Sequence, residues 1–230
     1  MTVTLGKVSI IIPLYNHSAF VSTTIDSALG QKYKDFEVIV VNDGSTDDSL
    51  AVAKSYGNRI VLLDQENQGP ARARNNGVAA SCGEFLFPLD SDDWIEPECL
   101  AKLVPKMEDK TVAIVSPDIQ YFGLLHTRIP TRGLTLEIEM ESNQICGNSL
   151  IRREAFIQTG GYNPRAGYED WNLWIDILKR GWKVATVPEP LFHYRIKSVS
   201  RSTQNGSKHA ELCRQIRQLH PDLYEKPRNP

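Results

Sequence analysis

The chain is 230 residues long, with 41% apolar and 23% charged residues, an ordinary balance for a water-exposed globular protein. Its formal net charge of -2 supplies no global field for nucleic acid, so nucleic-acid binding is excluded as its main task. Four cysteines, Cys82, Cys99, Cys146 and Cys213, lie far apart and form no C-x-x-C pair, which argues against a zinc site or a disulfide scaffold and fits a reducing cytoplasm.

No basic stretch followed by a long apolar one opens the chain, and the apolar run 8–14 is too short to span a bilayer and is broken by Pro13. Any membrane role is expected to be peripheral, on the inner face. Residues 8–12, rich in isoleucine and valine, predict a buried strand that ends at Pro13-Leu14-Tyr15-Asn16. Helical spacing follows at Phe20, Val21, Ile25, Ala28 and Leu29, with Asn16 or Ser18 as its cap. A second strand, 36–41, runs into Asn42-Asp43-Gly44-Ser45-Thr46-Asp47, where Gly44 suits a tight turn. A short third strand spans 59–63. Pro70 then opens a helix just after Asn67-Gln68-Gly69.

The fourth strand, 84–89, ends abruptly in Asp90-Ser91-Asp92-Asp93. A helix from Pro97 and a fifth strand, 112–116, complete a β-α alternation that predicts an α/β fold with a mostly parallel sheet. Residues 117–141 show no sustained period and read as loop and edge strand. Beyond them the pattern suggests a strand in 145–152 and helices at 154–159 and 171–179. Short strands follow at 184–187 and 191–195, then a terminal helix over 207–219.

Ligands of such sheets bind beyond the carboxyl ends of the strands, which is where Asp43, Asp90, Asp92 and Asp93 fall. Crowded carboxylates invite a divalent cation, and Mg2+ and Mn2+ favour oxygen ligands. A helix cap at Asp92 or Asp93 explains the same residues, and an Asx turn explains Asp43. Arg72 and Asn75 share a helix face, where Arg72 either balances the acids or is solvated. Glu169 and Asp170 precede a helix, as caps or as carboxylates desolvated toward general-base duty. Trp171 and Trp174 share a face that suits either a sugar or the core. His193 can ligate a cation and Arg195 can grip phosphate oxygens. Lys197, Arg201, Lys208, Arg214 and Arg217 form a basic tail, opposed only by Glu211, that suits a pyrophosphate or an anionic membrane surface; beyond Arg201 it is read as a solvated helix.

Taken together, Ile12-Pro13-Leu14-Tyr15-Asn16, Asn42-Asp43-Gly44-Ser45, Asn67-Gln68-Gly69 with Ala71-Arg72, Asp90-Ser91-Asp92-Asp93 and Glu169-Asp170 resemble, in order, the motifs of family 2 glycosyltransferases. The resemblance runs from about residue 8 to 195. It implies a GT-A fold in a single domain, with a nucleotide-sugar-binding half to about residue 117. An acceptor-binding and catalytic half to about 197 and a C-terminal tail, 198–230, would follow. It also implies inverting transfer from a nucleotide-sugar, usually a UDP-sugar, to the hydroxyl of a glycan or lipid-linked acceptor.

On that likeness Asp43 contacts the base, Asp90 the ribose, and Asp92 holds Mn2+ or Mg2+ against the diphosphate. Asp170 is the catalytic base, with Glu169 beside it. Pro13, Tyr15, Asn16, Gly69, Arg72, Ser91 and Arg195 are further donor contacts, His193 a late metal ligand, and Tyr168 and Trp171 acceptor contacts. Processive members carry transmembrane helices and a Q-x-x-R-W motif; neither is present in this sequence, so single-sugar addition is expected. Two alternatives remain: a nucleotidyltransferase making the activated sugar, and a catalytically inactive nucleotide-sugar-binding scaffold. The first would need a Gly-rich basic loop after the first strand, where Pro13-Leu14-Tyr15-Asn16 stands.

Overall fold

A computed structural model describes residues 3–198 and 208–225 of the chain. Its centre is β1 (Thr4–Leu14), flanked by β2 (Phe36–Asp43) and β4 (Gly83–Pro88), with β3 (Val61–Gln65) outside β2. All three pairings are parallel. β1 is apolar without alternation because both faces are covered. Ile10, Ile12 and Leu14 join one core layer, while Ile11 joins the other. Val21, Ile25 and Ala28 of α1 (Val21–Leu29) fill the first layer. On the other face α3 (Pro70–Ala79) comes close because of Gly77, where a Cβ would lie 2.5 Å from Ile11 Cγ2.

Past β4 the parallel run stops. β8 (Leu150–Arg152) pairs with β4 antiparallel, and β6 (Val112–Gly123) pairs antiparallel with β8. β9 (Lys183–Ile196) then runs parallel to β6, and β5 (Trp94–Ile95) closes that edge. β7 (Thr127–Ile129) folds back on β6. The nine strands of the described residues form one sheet, in which the carboxyl ends of β1, β2, β4 and β6 share an edge.

Two stretches differ from the sequence expectation. β6 continues through Pro117 to Gly123, between β8 and β9, where loop and edge strand were expected, and 184–187 and 191–195 are parts of one strand. In each, prolines mask the strand. The β6–β9 register shifts on either side of Asp118, which absorbs Pro117, Pro188 and Pro190 without ending the pairing. Asp118 is fully buried, and its carboxylate accepts from Arg128 (2.7 Å) and from the Thr131 backbone N–H (2.8 Å).

α5 (Leu136–Glu141) was also unforeseen. Thr135 caps it, its hydroxyl accepting from Ile138 N. α4 (Cys99–Leu103) starts two residues after Pro97. Neither Asn16 nor Ser18 caps α1. Asn16 takes a left-handed φ of 52° and its side chain accepts from Thr46 N (2.7 Å), bracing the turn after β2. α6 (Arg153–Thr159) and α7 (Glu169–Leu178) pack in the second layer, and α8 (His209–Leu219) sets Ile216 against Trp171 and Ile175. Arg201 of the basic tail lies outside the described residues. Among those residues no helix is long and apolar enough to cross a membrane.

Candidate active site

A cavity of about 420 Å³ opens at the shared strand edge, lined by Pro13, Tyr15, His17, Asp43, Gly69, Arg74, Asp90, Ser91, Asp92, Tyr194 and Lys197 among others. That size suits a small ligand. Asp43, the last residue of β2, is buried. Its Oδ1 accepts from Gln65 Nε2 (2.7 Å) and Gln68 N (2.9 Å), and its Oδ2 from Gly69 N (2.9 Å). A carboxylate has about four acceptor positions, so one remains for a ligand. The Asx-like holding of the turn therefore leaves room for a ligand at Asp43.

The acidic turn after β4 splits three ways. Asp90 Oδ1 accepts from Arg74 (2.6 Å). Asp92 Oδ2 faces Lys197 Nζ at 2.5 Å. Asp93 turns inward, 1% exposed, and its Oδ1 accepts from Arg195 N (2.8 Å). Burial, with Asp92 and Asp90 close by, holds the Asp93 carboxyl well above the usual range. Asp93 is thus a structural brace, neither helix cap nor cavity wall. Ser91, buried beneath, bonds His17 Nδ1 at 2.8 Å.

Arg74 ties two regions distant in sequence. One guanidinium nitrogen bonds Asp90 and the other bonds Glu169 Oε1 (2.8 Å) at the start of α7. With two carboxylates on it, Arg74 is held firmly charged despite burial. Glu169 is thereby committed to an ion pair, its side chain only 6% exposed. Asp170, next to it, is half-buried. Its Oδ1 accepts from Trp171 N (2.9 Å) and its Oδ2 from Asn143 (3.2 Å). Burial first, then the Glu169 charge, raise its pKa above the ordinary aspartate value.

Several predicted residues lie elsewhere. Arg72 is exposed and bonds its helix neighbour Gln68 (3.4 Å); among the described residues it is Arg74 that balances the acids. His193 stacks on Trp94 (centroids 3.5 Å apart) and bonds Glu96 (2.9 Å). The Arg195 guanidinium is sandwiched between Phe20 and Phe122, and its Nε donates to the Asp92 carbonyl (2.8 Å). It holds the acidic turn by its backbone. Trp171 is core, 4% exposed, its indole donating to the Glu139 carbonyl (2.6 Å). The Tyr168 hydroxyl meets His209 Nδ1 (3.0 Å). The sequence reading missed Arg74, His17 and Tyr194 as site residues and gave Lys197 only as part of a basic tail able to hold a pyrophosphate. A signal for Arg74 existed: it falls three residues after Ala71 and four before Val78, a charge on the buried stripe of α3.

Glu139 was missed too. It is fully buried on α5, where its Oε2 accepts from the backbone N–H of Gln144 (3.1 Å) and Ile145 (3.2 Å). These residues lie between Asn143 and Gly147, in the loop that brings both to Asp170. Burial pushes the Glu139 pKa up to about 8. An acid whose folded pKa is raised loses stability as pH climbs from the unfolded value toward the folded one, at about 1.4 kcal/mol per unit of displacement. Glu139→Gln keeps the acceptor and removes the titration. Urea unfolding at pH 5 and pH 8 is expected to fall less between the two in this variant, by at least ~2 kcal/mol. Equal pH dependence would show that Glu139 does not titrate in that window.

Among the described residues no cluster of three or more His, Cys, Asp or Glu side chains stands ready to hold a metal alone. Asp92 nonetheless fits one. It presents carboxylate oxygens at the cavity wall, and Mg2+ or Mn2+ commonly takes one or two carboxylates and completes its shell with phosphate oxygens and water.

A mostly parallel α/β sheet thus carries an acidic crevice beyond the carboxyl ends of its strands, where ligands of such sheets bind. The family described as glycosyl transferase family 2 matches residues 9–161, more than half of the chain. The chain belongs to that family. An uncharacterised glycosyltransferase of Rickettsia prowazekii is 42% identical over 201 residues, covering 75% of this chain and 58% of that protein. TarS from S. aureus, solved in complex with UDP-GlcNAc, superposes with a TM-score of 0.77 at 20% identity, over 93% of this chain and 66% of that one. The mannosyltransferase PcManGT from Pyrobaculum calidifontis, solved with GDP-Man and Mn2+, gives 0.72 at 19% identity, over 97% and 65%. These likenesses establish the GT-A fold expected from the motifs. The chain spans less than two thirds of the length of each of these three proteins.

Proposed function

We propose that this glycosyltransferase moves one sugar from a nucleotide-sugar, a UDP-sugar first of all, to the hydroxyl of a glycan or lipid-linked acceptor, with inversion at the anomeric carbon. One observation carries the reading: Arg74 binds Asp90 at the donor cavity and Glu169 beside Asp170, so that donor site and candidate base are held as one unit. The complexes of TarS with UDP-GlcNAc and of PcManGT with GDP-Man and Mn2+ support the donor class. The free thiols of all four cysteines suit the cytoplasmic setting that belongs to the same proposal.

In this reading the last acceptor position of Asp43 takes an N–H of the base, with Tyr15, Pro13 and Gly69 shaping the slot. Asp90, one oxygen on Arg74, offers the other to a ribose hydroxyl. Asp92 would hold Mn2+ or Mg2+ with the donor's diphosphate; the cation, when bound, neutralises charge on the leaving group. Asp170 accepts the proton of the acceptor hydroxyl while that oxygen bonds the anomeric carbon and the carbon–diphosphate bond breaks on the opposite face. Its raised pKa makes it a stronger base than a solvated aspartate. Glu169, bound to Arg74, positions the head of α7.

Asp92→Ala is expected to abolish the Mn2+-dependent part of UDP binding, read by calorimetry with and without the metal. Mn2+-dependent binding at wild-type strength in that variant would remove Asp92 as ligand. Release of UDP from a UDP-sugar separates the transferase from a nucleotidyltransferase, which would release pyrophosphate from UTP.

A further inference from the structure

Among the described residues, the cation nearest Asp92 is the side chain of Lys197. Lys197, one residue past β9, places Nζ 2.5 Å from Asp92 Oδ2, 3.1 Å from His17 Nε2 and 5.5 Å from the centre of the Phe20 ring. An ammonium only donates, so His17 Nε2 accepts and the ring proton lies on Nδ1, which donates to Ser91 Oγ (2.8 Å). Burial lowers the His17 pKa, in keeping with this neutral imidazole. Lys197, His17, Ser91 and Asp92 therefore form one connected group on the wall of the donor cavity.

We propose that Lys197 is a placeholder cation, neutralising Asp92 before ligand arrives and passing to the donor's diphosphate when a divalent cation takes its place; this rests on the donor-site reading above. The ammonium and a divalent ion repel each other strongly on one carboxylate, so the two states exclude each other. Once off Asp92 the ammonium needs another anion, and the diphosphate brings one to the same wall. The backbone two residues earlier is fixed, because Arg195 bonds both Asp93 and the Asp92 carbonyl. The flexible four-carbon stem of Lys197 can then swing from a pinned base.

Lys197→Met keeps the stem over Phe20 and removes the charge, and Lys197→Gln is the second variant should the first fold poorly. Free Mn2+ measured by electron paramagnetic resonance, without nucleotide, is expected to show roughly tenfold tighter metal binding than wild type, whereas UDP at saturating Mn2+ binds roughly tenfold more weakly. Mn2+ affinity that is unchanged or lower overturns the placeholder. Tighter Mn2+ with unchanged UDP overturns the passage to the diphosphate. The two readings fail separately. If wild-type UDP binding ignores both Mn2+ and Asp92→Ala, the donor site itself is misplaced; if those respond as expected and Lys197→Met changes nothing, only the placeholder falls.

Discussion

Asp170→Asn is expected to lower kcat by about 10²–10⁴-fold, the usual worth of a positioned general base. UDP binding with Mn2+ is expected to stay close to wild type, because Asp170 is not among the residues lining the donor cavity. The carboxamide is nearly isosteric and can still accept from Trp171 N, but it cannot take a proton from the acceptor. Two further signs identify the cause. The wild-type kcat should fall as pH drops through the Asp170 pKa, and burial together with Glu169 displaces that acid limb above the ordinary aspartate value. The same displacement costs stability once the carboxyl ionises, so Asp170→Asn should melt no lower than wild type at neutral pH. Retained turnover in Asp170→Asn would move the base elsewhere.

Arg74→Met should have the largest effect on stability, a loss of about 3–5 kcal/mol in urea unfolding, typical of breaking a buried ion pair from one side. The Arg74 side chain is 11% exposed and that of Glu169 6%, so solvent screens this contact poorly. Without the guanidinium, Glu169 faces the Asp170 and Asp90 carboxylates with that cation gone. Arg74→Lys is expected to recover only part, since an ammonium lacks the planar fork that spans both acids. A double-mutant cycle with Glu169→Gln should show coupling, because the two variants remove one interaction. Arg72→Ala, on the exposed face of the same helix, should change stability by no more than about 0.5 kcal/mol. If Arg72→Ala cost as much as Arg74→Met, the bridging role would be wrong.

The strands that carry the cavity were legible because burial on both faces leaves an unbroken apolar run, as in β1 and β2, and because polar residues mark where the run meets the cavity. Asp43, Asp90 and Asp92 were found that way. What escaped notice depends on direction rather than position. Arg72 and Arg74 are two residues apart, so on a helix they point to different sides, and only the buried stripe of Ala71 and Val78 tells them apart. His193 and Arg195 share one face of β9 while Tyr194 takes the other and lines the cavity. That alternation is visible in sequence, but which face meets the cavity depends on β5, whose Trp94 pairs with His193. Lys197 escapes the alternation because it lies past the end of the strand. The acids that lie side by side after β4 diverge for the same reason: their neighbours Arg74, Lys197 and Arg195 come from other parts of the chain.

A crystal structure of the chain with an intact UDP-sugar and Mn2+ tests the central claim most directly. The account predicts the metal and diphosphate against Asp92, the uracil at Asp43, and the anomeric carbon turning its free face toward Asp170 with room for one hydroxyl between them. A sugar whose free face looks away from Asp170, or a diphosphate seated without Asp92, would contradict it.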